Sequence, residues 1–148
     1  MAKQILIPDL IEKFWETVPP AWHATRATIR KVAAENFHLT VEQFQVLRRI
    51  RRGVDSVSAL AEANLTSRSS VSKAVDALVN KGLISRSTDA HDRRHVHLSL
   101  TGEGERVLSA IYAETEAWLT SRFERLTPAE LNEFLGTLDL LRKTFAED

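Results

Sequence analysis

The sequence predicts a mostly α fold interrupted by one small β-hairpin. Three observations carry this expectation. Apolar residues recur at helical spacing through both ends of the 148-residue chain. Capping signatures divide the middle into short helices. One stretch, Leu83 to Leu100, switches to a two-residue alternation on either side of a charged tip.

Each element follows in order. Leu10, Ile11, Phe14 and Trp15 place a short amphipathic helix over Asp9 to Thr17, and Pro19-Pro20 is expected to stop it, because neither ring can donate a backbone hydrogen bond. Pro20 then opens a second helix running to about Asn36, with Trp22, Ile29, Val32 and Ala33 along one side. Thr40-x-x-Gln43 is a capping box for a third helix that carries Val41, Phe44, Leu47 and Ile50 and ends near Gly53. A short fourth helix spans roughly Val57 to Ala63 behind Ser56, and Asn64-Leu65-Thr66 breaks the chain, with Asn64 able to adopt the left-handed conformation. Ser67 caps a fifth helix whose buried stripe is Val71, Val75 and Leu78, and Lys81-Gly82 closes it. Leu83 to Arg86 and His95 to Leu100 alternate as two strands. Thr101 caps a helix over about Gly102 to Arg125, and Thr127-Pro128-Ala129-Glu130 starts the last one, with Leu131, Phe134, Leu135, Leu138, Leu141 and Phe145 on its apolar side.

Composition narrows the function classes. Hydrophobic residues make up 43% and charged residues 27%, as in ordinary globular chains. The absence of cysteine excludes a disulfide framework, a thiolate metal site and a thiol switch. Met1-Ala-Lys-Gln opens no signal-like apolar run and no membrane-length segment follows, so a cytoplasmic protein without a membrane partner is expected. Net charge is zero but unevenly spread. Residues 1–43 are neutral, residues 44–97 hold ten basic and five acidic side chains, and residues 98–148 hold five basic and ten acidic. A basic middle of this kind suggests a local anion-binding face.

Within that basic middle, two short helices separated by a tight break form a helix-turn-helix pattern. Leu60, Ala61 and Leu65 can pack beneath the second helix, while Arg68, Ser69, Ser70, Ser72 and Lys73 lie along its first turns. Such a helix end suits the major groove of DNA: arginine can fork onto a guanine edge, lysine reaches phosphate, and short hydroxyls permit close approach.

Here the sequence resembles a known family. Leu39 to Leu108 is similar to the winged helix-turn-helix of the MarR family of bacterial transcription regulators. The likeness rests on "LTVEQFQVLRRI", "SVSALAEA", "SRSSVSKAVDALVNKGLI" and "DAHDRRHVHLSLTGEG". The last contains the family's Asp-x-x-Asp-x-Arg pattern in Asp89, Asp92 and Arg94, then its Leu-Thr-x-x-Gly run in Leu100, Thr101 and Gly104. The resemblance implies residues 1–38 and 102–148 as dimerisation helices flanking a DNA-binding lobe at 39–101. It also implies a homodimer on double-stranded DNA, with Arg94 or Arg93 in the minor groove and Asp92 holding that guanidinium. A repressor acting on a pseudo-palindromic operator is the function expected. Two features depart from the family's usual pattern: the turn Asn64-Leu65-Thr66, where glycine is common, and the Pro19-Pro20 pair.

Family members often respond to small anions or aromatics, and Trp22, His23 and Arg26 are the candidate ligand residues here; the alternative places Trp22 in the core or dimer interface. His91, His95 and His97 could group around zinc, giving a metal-responsive regulator, but imidazoles on a DNA-facing tip need no metal, and neither metal nor cofactor is expected. A winged-helix module that binds protein is the other alternative; it would have no use for so many arginines in one lobe. An enzyme is not expected, because no nucleophile elbow, phosphate loop or metalloprotease motif accompanies the acids and histidines.

Overall fold

The computed structural model describes residues 6–146 and contains six helices and one hairpin among them. The first helix, α1, runs unbroken over Ile7–Phe37 and carries Pro19 and Pro20 inside it. This corrects the expected break and second helix start at Pro20. The two rings remove donors that would have reached the carbonyls of Trp15 and Glu16, four residues back. Both those residues are exposed, so water can take the freed carbonyls. The turns that follow the prolines are anchored by buried Ala33 and half-buried Ile29 and Val32, while the turns before them carry exposed Leu10, Ile11 and Trp15. Asn36 donates a 2.6 Å hydrogen bond to Glu114 of the fifth helix, and His38 ends α1 in the left-handed conformation with φ of 53°.

The capping box forms as expected: Thr40 Oγ1 accepts from the Gln43 backbone, and Gln43 Oε1 accepts from the Thr40 backbone, both at 3.1 Å. It starts α2 at Val41–Arg51. Ser56 caps α3 at Val57–Asn64, and Ser67 caps α4 at Arg68–Asn80. Strand β1, Ile84–Thr88, pairs antiparallel with β2, Val96–Leu100, in the register Ile84↔Leu100 to Thr88↔Val96. The strands therefore start one residue later than expected, and β1 extends two residues further. Leu83 donates to the Leu78 carbonyl, which finishes α4, and His95 donates to the Asp92 carbonyl, which belongs to the tip.

Thr101 caps α5, Gly102–Phe123, and its hydroxyl also donates to the Gly82 carbonyl at 2.6 Å. This couples the end of the hairpin to the end of α4. Gly104 is needed at this junction, since a Cβ there would lie 2.1 Å from the Leu83 carbonyl oxygen. The Leu-Thr-x-x-Gly run is thus a close-approach device. Helix α6, Pro128–Thr144, begins with proline and a second capping box, in which Glu130 accepts from both the backbone and the hydroxyl of Thr127. Those two hydrogen bonds hold the Glu130 carboxyl below its ordinary range.

The core sits in the middle of the chain. Leu47, Leu60, Val71, Val75, Leu78, Leu108 and Ile111 are fully buried where α2, α3, α4 and the first half of α5 meet. By contrast, α6 has no buried residue among those described, and Leu10, Ile11 and Trp15 of α1 are more than half exposed. No helix of the described residues is long and apolar enough to cross a membrane.

Candidate nucleic-acid interface

Helices α3 and α4 form the expected pair, with Leu60 and Ala61 buried against Val71 and Val75. The turn between them differs from expectation. Leu65, not Asn64, takes the left-handed conformation, with φ of 51°, and its side chain is 95% exposed. It therefore does not pack beneath α4. Ending α3 requires one residue of positive φ, and that backbone directs the Leu65 side chain outward.

The first turns of α4 hold the predicted residues in distinct environments. Arg68 and Ser69 are exposed, and the Arg68 guanidinium donates back to the Ser58 hydroxyl on α3. Ser70 is half-buried, and its hydroxyl lies 2.8 Å from both carboxylate oxygens of Glu42 on α2. It ties α4 to α2. Ser72 is half-buried, and Lys73 is exposed beside a shallow depression bordered by Thr40, Glu42 and Gln43.

At the hairpin tip the two aspartates fold the chain. Asp89 Oδ1 accepts from the His91 backbone and Asp92 Oδ1 from the Arg94 backbone, both at 3.0 Å. These side-chain turns explain acidic residues in a basic tip. Arg94 Nε lies 3.5 Å from Asp92 Oδ1, while its side chain stays 94% exposed; Arg93 is exposed as well. At the base of the wing, Leu98 donates to the Asp55 carbonyl at 2.8 Å and His97 Nδ1 lies 3.0 Å from the Asp55 carboxylate. Asp55 thus fastens the hairpin to the loop between α2 and α3. The histidines separate: His97 faces Asp55, His95 lies near Asp92, and His91 is exposed. Among the described residues no three metal-ligating side chains converge.

Sequence reasoning missed the roles of Glu42, Ser58 and Asp55, whose partners lie 10 to 42 residues away. Nothing local in the sequence marks such pairings.

A separate cleft of about 280 Å³ opens between α1, α2 and the α3–α4 turn. Trp22 and Arg26 line it, joined by Arg30, Arg48 and Arg49, and the Arg26 guanidinium lies 5.9 Å from the Trp22 ring centre. His23 does not line it. Residues 22, 26 and 30 share a helix face, whereas residue 23 is turned about 100° away.

Residues 38–95, which span α2 to the wing tip, match the MarR family. Over 96 residues the chain is 34% identical to the transcriptional regulator HosA of Escherichia coli, covering 61% of this chain and 70% of that protein. The fold superposes on transcriptional regulator Tm0710 from Thermotoga maritima with a TM-score of 0.80 at 23% identity, covering 90% of this chain and 94% of that one. It also superposes on a MepR variant from S. aureus bound to an oligodeoxyribonucleotide, with a TM-score of 0.71 at 19% identity, covering 90% and 98%. A helix-turn-helix, a hairpin folded by its own aspartates, and this likeness in sequence and shape lead to one conclusion: the chain belongs to the MarR family of transcriptional regulators.

Proposed function

We propose that the protein binds double-stranded DNA as a homodimer at a pseudo-palindromic operator, represses transcription there, and is released by a small aromatic or anionic effector. The observation that carries this reading is the pairing, on one lobe, of an exposed basic helix start (Arg68, Ser69, Lys73) with an exposed basic wing tip (Arg93, Arg94). In this reading residues 39–101 form the DNA-binding lobe, and residues 1–38 and 102–148 form the dimerisation region.

Each side chain takes a role its chemistry suits. Arg68 exchanges its Ser58 partner for a guanine edge in the major groove. Ser69 and Ser72 contact phosphate or base edges, and Lys73 contacts phosphate. Ser70 serves by positioning α4 through Glu42. Arg94, with Arg93 beside it, enters a flanking minor groove, where a narrow groove concentrates negative potential, and Asp92 orients it. The oligodeoxyribonucleotide in the S. aureus MepR variant structure supports this use of the fold.

Dimerisation is supported by the apolar faces left open at both ends: Ile7, Leu10, Ile11 and Trp15 on α1, and Leu135, Leu138 and Leu140 on α6, are 46–74% exposed. An obligate interface covering them should exceed ~2,000 Å². The arginine-lined cleft is the effector site in this reading.

Selection of tight binders from a random duplex library tests the proposal. It should return a two-fold-symmetric motif with half-sites about one helical turn apart. Recovery of no common motif would refute it, and a monomer in sedimentation at micromolar concentration would refute the dimer.

A further inference from the structure

The cleft beside Trp22 is lined by charge of one sign. Four arginines, Arg26, Arg30, Arg48 and Arg49, line it, and no aspartate or glutamate does. None of the four has a carboxylate partner among the described residues, a state they share with Arg52, Arg68, Arg93, Arg122 and Arg125 outside the cleft. Arg49 reaches only the Ala63 carbonyl, at 3.2 Å, and Arg26 only the Trp22 ring. Moreover, Arg48 Nε, Arg49 Nε and the Asn64 side-chain nitrogen are buried without an acceptor. Buried donors are normally satisfied, and these three all belong to residues of this one cleft. Side-chain movement that brought an acceptor to these three nitrogens would satisfy donors that have no partner in the protein.

We propose that this cleft selects an aromatic ligand bearing a doubly charged anionic group, a phosphate or a pair of adjacent carboxylates, over a simple aromatic monocarboxylate. This deepens the effector reading above and rests on it for its regulatory consequence. A single carboxylate would leave most of the local positive charge uncompensated. A dianion offers enough acceptor positions for several guanidinium forks at once. The exposed Trp22 ring supplies the flat wall that an aromatic ring can stack on. On the opposite side, Asn64 and Leu65 belong to the turn that immediately precedes the Ser67 cap of α4. An occupant held between α1 and this turn therefore presses on the segment that aims the recognition helix.

Calorimetry on the DNA-free protein, with phenyl phosphate, phthalate, benzoate and inorganic phosphate as probes, tests the ligand class. The two aromatic dianions should bind at least tenfold more tightly than benzoate. Arg26→Gln and Arg48→Gln should each erode that preference, and Trp22→Ala should erode the preference of phenyl phosphate over inorganic phosphate. Melting curves and circular dichroism confirm that each variant folds; Arg26→Gln, at an exposed position, serves if Arg48→Gln does not. Equal affinity for benzoate and the dianions, absence of binding, or a preference untouched by either arginine substitution would overturn the proposal. So would conversion of the dimer to monomer by Arg26→Gln, which would assign these charges to the second copy. Operator release is measured separately: tight dianion binding without release would refute the effector reading while leaving the ligand class intact.

Discussion

Gly104→Ala should destabilise the fold strongly, although it replaces a helical glycine with the best helix former. The new Cβ would sit 2.1 Å from the Leu83 carbonyl oxygen and 3.1 Å from its carbon. That is about 1.3 Å short of the 3.4 Å at which ordinary contact begins. The obstacle is backbone and cannot swing aside, because the same oxygen accepts the Thr101 hydrogen bond at 3.1 Å. Relief requires α5 to lift from the α4–β1 junction, stretching that bond and the Thr101–Gly82 bond and loosening Val107 and Leu108. Overpacking costs about 1–3 kcal/mol, and the weakened hydrogen bonds add about 1 kcal/mol. Removing glycine from a helix returns up to about 1 kcal/mol. With the glycine return taken in full, the net loss should be roughly 1–3 kcal/mol. Gly102→Ala is the internal control, two residues earlier with nothing within 4 Å of its Cβ; it should be neutral or slightly stabilising. Urea unfolding of both variants at one protein concentration reads the difference. A Gly104→Ala stability within ~0.5 kcal/mol of the parent, or the same sign for both variants, would refute the close-approach account.

Leu65→Asn should stabilise the protein by about 0.5–1.5 kcal/mol, because the left-handed backbone suits asparagine and the 95% exposed leucine packs on nothing; a lower urea midpoint would contradict this. Arg94→Ala should weaken operator binding mainly on A·T-rich flanks, and Lys73→Ala should weaken it on every sequence and lower the salt slope by about one counterion per site; duplexes with exchanged flanks, titrated at two salt concentrations, separate the two effects. The Glu130 carboxyl is lowered by its Thr127 hydrogen bonds, so its contribution to stability is complete above the ordinary carboxylate range and is lost as pH falls through the lowered value. Glu130→Gln should accordingly melt below the parent at neutral pH, with the gap closing in acid; a gap that widens in acid would contradict it.

Local signals in this sequence were legible and long-range pairings were not. Thr40-x-x-Gln43 and Thr127-Pro128-Ala129-Glu130 specify their caps within four residues, and both capping boxes form. The hairpin was legible from the alternation on either side of its charged tip, although its strands start one residue later, at Ile84 and Val96. Pro19-Pro20 misled because the proline rule weighs the lost ladder bonds and not whether water can reach the freed carbonyls. At the α3–α4 turn, Asn64 has the better local chemistry for positive φ, but the length of α3 places Leu65 there instead. The cleft shows the same division. Residues 22, 26 and 30 share a face by helical spacing, but the approach of Arg48, Arg49 and Asn64 from other elements is a tertiary fact. Ser70 looked like a DNA contact from its place on the helix, and only its partner Glu42, 28 residues away, shows its hydroxyl turned toward the protein.

The central claim, that α4 reads base sequence, is tested most directly by titrating the selected operator and a duplex with scrambled half-sites against the parent and Arg68→Ala. The parent should prefer the operator by at least ~10³-fold at physiological salt. Arg68→Ala should lose about 1–3 kcal/mol on the operator and much less on the scrambled duplex, with discrimination relaxed at one base position in each half-site. Equal binding of both duplexes by the parent, or an Arg68→Ala loss of the same size on both, would contradict the account.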